Sequence, residues 1–193
     1  MDIALSWKRI SEWHEKNTPP GKFTLNSGAS ALAIGTFEQL IGESLPDDFC
    51  ESLSIHDGGD FWIAHFGELL SLNSIKRNWH HYRKWQASGE FAVEGESIWT
   101  PRDISGPIKP IFWNPKRVFV TDNGGGDHVA LDLDPPPEGT YGQILEHSHE
   151  VGPMTCLAGT WKEFLASFAD GLEAGEYVYL ESEGMVAPPG MYD

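Results

Sequence analysis

The chain has 193 residues, of which 40% are apolar, enough for one well-buried domain with at most a small extension. Its 13 Lys and Arg against 29 Asp and Glu leave a formal charge of −16. This charge argues against binding to nucleic acid or to anionic membranes, because both need a basic surface, and it favours encounter with a basic protein partner. Acidity that only maintains solubility explains the composition equally well.

The cysteine content and the amino-terminal sequence favour a cytoplasmic location. Cys50 and Cys156 are too few for a disulfide framework and lack metal-type spacing. The first ten residues lack the basic-then-apolar order of a signal peptide, and no apolar run approaches the roughly 18 residues that span a bilayer. We therefore expect a cytoplasmic, soluble protein.

Apolar spacing predicts four helices in the first half of the chain. The first begins after Asp2, the second near residues 27–30 and ends at Gly42, the third at residues 45–48, and the fourth after Ser71. Between the third and fourth helices we expect a turn at residues 56–60 and a strand at residues 61–66. The predicted inward-facing residues are Trp7, Ile10 and Trp13; Leu32, Ile34, Phe37, Leu40 and Ile41; Phe49 and Leu53; and Leu72, Ile75, Trp79, Tyr82 and Trp85.

The second half predicts a sheet followed by a helix. After an irregular connection at residues 89–110, residues 111–156 read as antiparallel strands joined by a glycine turn and a proline-rich turn. A capping box of Thr160 and Glu163 opens the last helix, and a final strand follows at residues 177–180. We predict a single α+β domain over residues 1–180, with a mainly antiparallel central sheet flanked by helices, and a flexible tail over 181–193.

A series of short motifs occurs in a characteristic order along most of the chain. The motifs are residues 37–42 with 45–49, 56–59, 67–71, 113–115, 125–127 leading into 131–135, 142–143, and 161–177. This order resembles the SUKH superfamily, named for fungal cell-wall synthesis regulators of the Smi/Knr type and their bacterial relatives. The long loop at residues 86–110 and the extended tail are departures from the pattern.

The resemblance implies a SUKH-type fold and a non-enzymatic binding protein without catalytic residues or a cofactor. Bacterial members of the superfamily often act as immunity proteins that neutralise a toxin, and fungal members look like regulatory adaptors. The favoured hypothesis is therefore an immunity protein that occludes a basic toxin. The alternative is a regulatory adaptor in cell-wall or envelope synthesis or in signalling. The sequence gives no preference among oligomeric states.

Two groups of residues are candidates for a site. Charge and loop position select a partner-binding group that consists of Asp57, Asp60, Trp62, Trp99, Asp122 and Asp127. A third hypothesis, a metal-dependent enzyme, rests on the imidazoles and carboxylates of His128, Asp132, His147 and His149. Alternation of polar and apolar residues on a half-exposed sheet explains this second group more simply, so we predict no metal.

Overall fold

The computed structural model describes residues 2–89 and 103–191. Within these stretches the chain forms five α-helices and eight short β-strands. The helices are α1 (Ile3–Asn17), α2 (Ala31–Ile41), α3 (Asp47–Ile55), α4 (Leu72–Ala87) and α5 (Trp161–Ala174). The strands are β1 (Glu68–Leu69), β2 (Arg117–Phe119), β3 (Thr121–Asp122), β4 (His128–Asp132), β5 (Gln143–Ser148), β6 (Gly152–Ala158), β7 (Val178–Leu180) and β8 (Met185–Ala187). The strand pairs are antiparallel, and the predicted single α+β domain is confirmed.

The helix ends follow local sequence chemistry. Side-chain oxygens cap α1, α2, α4 and α5, because amides of a first turn lack intrahelical partners. The capping residues are Asp2, Ser30, Ser71 and Thr160. Gly42 and Gly175 end α2 and α5 in the left-handed conformation, which a residue without a Cβ adopts readily. In the predicted capping box, the Thr160 hydroxyl accepts from the Glu163 amide as expected. The Glu163 carboxylate, however, accepts from the Gly159 amide instead of the Thr160 amide.

Two predictions in the first half of the chain are wrong. Leu32 was expected to face inward, but it is 81% exposed, because residues two apart on a helix do not share the face on which Ile34 is buried. Residues 61–66 form an isolated bridge at Trp62 and a 3₁₀ turn (Ala64–Phe66) instead of a strand. The apolar run resembles a strand because Phe61 and Ile63 are buried at alternate positions, but the chain turns back at Gly67, which has a φ of 102°.

The central sheet has the strand order β2–β4–β5–β6. Its register places Val118 opposite Leu131, and Leu131 opposite Ile144, so that one face of the sheet presents a continuous apolar row. This row belongs to the main core, which also includes buried residues of α1, α2, α3 and α5. The first strand of this sheet begins at Arg117, six residues later than the predicted start at residue 111.

The other face of the sheet is also buried, which differs from the half-exposed sheet that was predicted. A second apolar cluster covers it, in which Trp79 and Tyr82 of α4 pack with Phe119, Ala130 and Leu145 of the sheet. As a result, all five residues of β4 are buried. Alternation of polar and apolar residues did not reveal this, because the polar residues of this face are buried under the cover, where they hydrogen-bond to one another or to the backbone.

The chain beyond Glu181 is packed against the domain as far as Ala187. The expected loose tail is replaced there by β8, which pairs with β7. Val186 and Ala187 are fully buried, and Val186 belongs to the main core. A three-residue strand with a single core position gives little local signal, and its partner strand is equally short.

Candidate protein-binding surface

Three carboxylates and a tryptophan meet at the edge formed by β1 and β3. Glu68 of β1 lies opposite Asp122 of β3, and Trp62 forms a bridge to Glu68. Partial burial raises the pKa of Glu68, and repulsion by Asp60 and Asp122 raises it further. We call these four residues, Asp60, Trp62, Glu68 and Asp122, the acidic edge.

Two of the three carboxylates of the acidic edge are available to a partner, whereas Asp122 Oδ1 accepts a hydrogen bond from the Gly124 amide at 2.8 Å. Asp60 and Glu68 are exposed, and neither side chain forms a hydrogen bond or ion pair within residues 2–89 and 103–191. Trp62 is half-buried and presents part of its ring beside them. Mutually repelling carboxylates next to a partly exposed aromatic ring suit a partner that brings positive charge and an apolar contact.

Asp127, another predicted partner-binding residue, is engaged within the hairpin that links β3 and β4. Its carboxylate accepts hydrogen bonds from the His149 amide at 2.9 Å and from His149 Nδ1 at 2.8 Å. Asn123 Nδ2 donates to its other oxygen at 3.1 Å. Burial favours a higher pKa for Asp127, but the hydrogen bonds from His149 and Asn123 outweigh it and the pKa is lowered. Asp127 therefore fixes the turn while keeping its negative charge.

Asp57, another predicted partner-binding residue, does not join the acidic edge. Asp57 is half-buried, and its Oδ1 accepts a hydrogen bond from the Leu72 amide at 2.6 Å, so that it satisfies the first turn of α4. Trp99 lies outside the described residues. Glu68, which the sequence analysis did not select, belongs to the edge because the pairing of β1 with β3 brings it there.

The four candidate metal ligands have separate hydrogen-bonding roles. His128 Nδ1 donates to the Thr121 carbonyl and His147 Nε2 to the Phe112 carbonyl, each at 2.7 Å. Asp132 accepts from Gln143 Nε2 at 3.0 Å, and His149, which follows the end of β5, is paired with Asp127. Burial lowers the pKa of His128, and lowers that of His147 to about 3. In the part of the chain that the structure describes, no three His, Cys, Asp or Glu side chains are grouped to hold a metal ion.

A buried polar row crosses the covered face of the sheet. Arg117, Asp132 and Gln143 are direct neighbours on β2, β4 and β5, and at most 1% of each is exposed. Gln143 Nε2 also donates to the Pro107 carbonyl at 2.8 Å, and Arg117 Nη1 donates to the Phe112 carbonyl at 3.1 Å. The row therefore anchors the segment before β2 to the sheet, and its burial keeps it from contact with a partner.

A cavity of about 430 Å³ lies at the carboxyl end of α1. His14 is one of the residues that line it. The side chain is 6% exposed and packs against the rings of Phe23 and Phe61 at centroid distances of 5.0 and 4.6 Å. Neither ring nitrogen of His14 has a hydrogen-bond partner. Burial lowers the pKa of His14 to about 4, so that the imidazole is neutral at pH 7.

Among the described residues, no helix combines the length and the apolar character needed to cross a bilayer.

Comparison with known proteins gives a consistent family assignment. Residues 28–167 match the family model described as SMI1 / KNR4 family (SUKH-1). The "Cell wall biosynthesis/cell cycle regulator smi1" of Schizosaccharomyces pombe is 27% identical over 192 residues, which cover 94% of this chain and 38% of that protein. The "Glucan synthesis regulatory protein" of Neurospora crassa is 24% identical, covering 91% of this chain and 39% of the relative. The "Cell wall assembly regulator SMI1" of Saccharomyces cerevisiae is 25% identical, covering 93% and 42%. The chain thus spans about two fifths of the length of these relatives.

Proposed function

Because the chain belongs to the SMI1/KNR4 family, we propose that it is a regulatory domain that acts in the synthesis of a cell wall or envelope. The observation that supports this function is the similarity, along 91–94% of the chain, to proteins named as regulators of cell-wall biosynthesis, glucan synthesis and cell-wall assembly. The relatives are named as regulators rather than as enzymes. The activity that we propose for this domain is therefore to bind another protein.

The acidic edge is the surface that we propose for this binding. It combines exposed, unpaired carboxylates at Asp60 and Glu68 with the half-buried ring of Trp62. A basic partner would relieve the repulsion among these carboxylates, and the formal charge of −16 would accelerate encounter at low ionic strength. We expect the association rate to fall as salt rises, since exposed charges are screened beyond about 10 Å at 0.1 M.

The immunity hypothesis stands second to the regulatory one. It depends on the charge of the chain, which suits a basic toxin as well as any other basic partner. The regulatory function also has the support of named relatives that align with nearly the whole chain. An experiment in the organism that carries the gene separates the two.

Deletion of the gene should make cells sensitive to an agent that perturbs the cell wall or envelope. The wild-type protein should restore resistance, and the double variant Asp60→Lys/Glu68→Lys should fail to do so. A matched control is Glu181→Lys/Glu183→Lys, which changes the net charge equally at two exposed positions that do not belong to the edge and should restore resistance. Unchanged resistance after deletion, together with growth arrest that depends on a toxin gene, would support immunity instead.

A further inference from the structure

Helix α4 carries a stripe of positive charge on a strongly acidic protein. Four of the 13 Lys and Arg lie in α4, and the helix contains no Asp or Glu. The four residues, Lys76, Arg77, Arg83 and Lys84, are all exposed and are spaced so that they lie on one face of the helix. The opposite face packs into the second apolar cluster through Trp79 and Tyr82. We call the four residues the basic stripe.

The basic stripe has no negative charge to balance it within the described structure. None of its members forms an ion pair within residues 2–89 and 103–191. Two of them are held in place by neutral groups: Arg77 Nη2 donates to Ser74 Oγ at 2.9 Å, and the Arg83 guanidinium lies 5.5 Å from the centroid of the Trp79 ring. The stripe is therefore a positively charged surface that forms no ion pair with the described residues.

Four other basic residues, Lys8, Arg9, Lys109 and Lys116, are paired with acids, whereas Lys16, Lys22, Arg117 and Lys162 lie singly and form no ion pair within the described residues. Arg9 contacts Asp170 at 2.7 Å, and Lys109 contacts Asp134 at the same distance. Lys116 contacts Glu43 at 2.6 Å. On a chain with more than twice as many acids as bases, an unpaired group of four cations in one helix is a local exception. Such a surface attracts an anionic ligand.

We propose that the basic stripe binds a short, extended, carboxylate-rich segment of a partner protein. The rest of the chain is even more negative than the formal −16 of the whole. A membrane or a nucleic acid, which presents charge over a wide area, would meet that negative surface as well as the stripe. A short acidic segment meets the stripe alone. The proposal is independent of any role of the acidic edge.

The spacing of the stripe defines the segment that fits it. Its two pairs, Lys76 with Arg77 and Arg83 with Lys84, are seven residues apart, which corresponds to about 10 Å along the helix axis. An extended peptide covers about 10 Å in three residues, at roughly 3.3 Å for each residue. The matching segment therefore carries two pairs of adjacent acidic residues, and the second pair begins three positions after the first, as in Asp-Glu-Ser-Asp-Glu.

The test uses a fluorescein-labelled peptide of that pattern and measures fluorescence anisotropy with the full chain at low salt. We expect saturable binding that weakens as NaCl is added, and no binding of the same peptide with Asn and Gln in place of Asp and Glu. The variant Lys76→Glu/Lys84→Glu should bind at least about tenfold more weakly, because two attractive contacts become repulsive. The variant Lys16→Glu/Lys162→Glu, with the same net charge, should lose less than about twofold, since these lysines lie on α1 and α5 and make no direct contact with a peptide bound to α4.

Several results would overturn the proposal. Equal weakening in the two variants would show that net charge, and not the stripe, controls binding. Absence of binding up to about 1 mM peptide would remove the proposal altogether. Tighter binding of phosphatidylserine vesicles or single-stranded DNA than of the peptide, or self-association lost in Lys76→Glu/Lys84→Glu, would assign the stripe to a different occupant. Thermal unfolding of both variants establishes that each is folded, since all four substituted side chains are exposed.

Discussion

Replacement of His14 by Phe should make the protein less sensitive to acid. His14 is buried among aromatic rings, and neither of its nitrogens is hydrogen-bonded. The folded protein therefore holds the neutral imidazole, whereas the unfolded chain takes up a proton with a pKa of about 6.5. Because the unfolded state binds more protons between that pKa and the folded value of about 4, the free energy of unfolding falls as the pH falls through this window.

The size of the effect follows from the two pKa values. At pH 7 both states are mostly deprotonated, and at pH 5 only the unfolded state is protonated. The linkage relation gives a loss of about 2 kcal/mol between pH 7 and pH 5 from His14 alone. At pH 5 this figure depends little on the folded-state pKa, provided that the latter stays well below 5. His147 keeps its own lowered pKa, so that part of the acid sensitivity remains in the variant.

The assay is urea unfolding of wild type and His14→Phe at pH 7, 6 and 5. At pH 7 we expect the two free energies of unfolding to agree within about 1.5 kcal/mol, since the phenyl ring replaces an aromatic ring of similar size and the adjoining cavity of about 430 Å³ gives room for it. At pH 5 the variant should be more stable relative to wild type by about 2 kcal/mol. The control is His81→Phe, at an exposed position. Parallel pH dependences of wild type and His14→Phe would refute the reasoning.

Three further predictions concern stability. Asp57→Ala should cost about 1 to 2 kcal/mol in denaturant unfolding, because the Leu72 amide loses its 2.6 Å acceptor at the start of α4. Val186→Ala should cost roughly 2 kcal/mol in the same assay if β8 completes the core, whereas Met191→Ala, at a 45% exposed side chain, should change little. Glu68→Gln should raise the free energy of unfolding at neutral pH, because burial and neighbouring carboxylates disfavour the charged form. This gain should disappear as the pH falls through the raised pKa, and a pH-independent gain would contradict it.

Those parts of the fold that depend on neighbouring residues could be predicted from the sequence. The capping hydroxyl of Thr160 and the stop at Gly175 define α5, because both act within one turn of the helix. Contacts between distant segments could not be predicted in the same way. The pairing of β1 with β3 joins Leu69 to Thr121, and its two-residue strands carry no alternation to indicate it.

The candidate site was predictable only as a set of residue types. Turn position selects Asp57, Asp60, Asp122 and Asp127 alike, but hydrogen bonding distinguishes them. The amide that Asp57 accepts from is 15 residues away, and the one that Asp127 accepts from is 22 residues away. For Asp57 and Asp127, whether the carboxylate is free for a partner therefore depends on tertiary contacts, whereas Asp122 accepts locally from the Gly124 amide. The same contacts add Glu68 to the edge, although nothing in its local sequence marks it.

Opposite charges on two surfaces suit the proposed regulatory role. An adaptor must hold two partners without competition between them, and a basic ligand of the acidic edge is repelled from the basic stripe. The two surfaces are linked through α4. Its outer face carries the stripe, whereas Tyr82 on its inner face has a pKa raised to about 12 by burial and, to a smaller extent, by the negative charges of Asp122 and Asp127. Helix α4 begins at Leu72, shortly after β1 of the edge ends at Leu69, and its packing through Trp79 and Tyr82 fixes the position of the stripe relative to the edge.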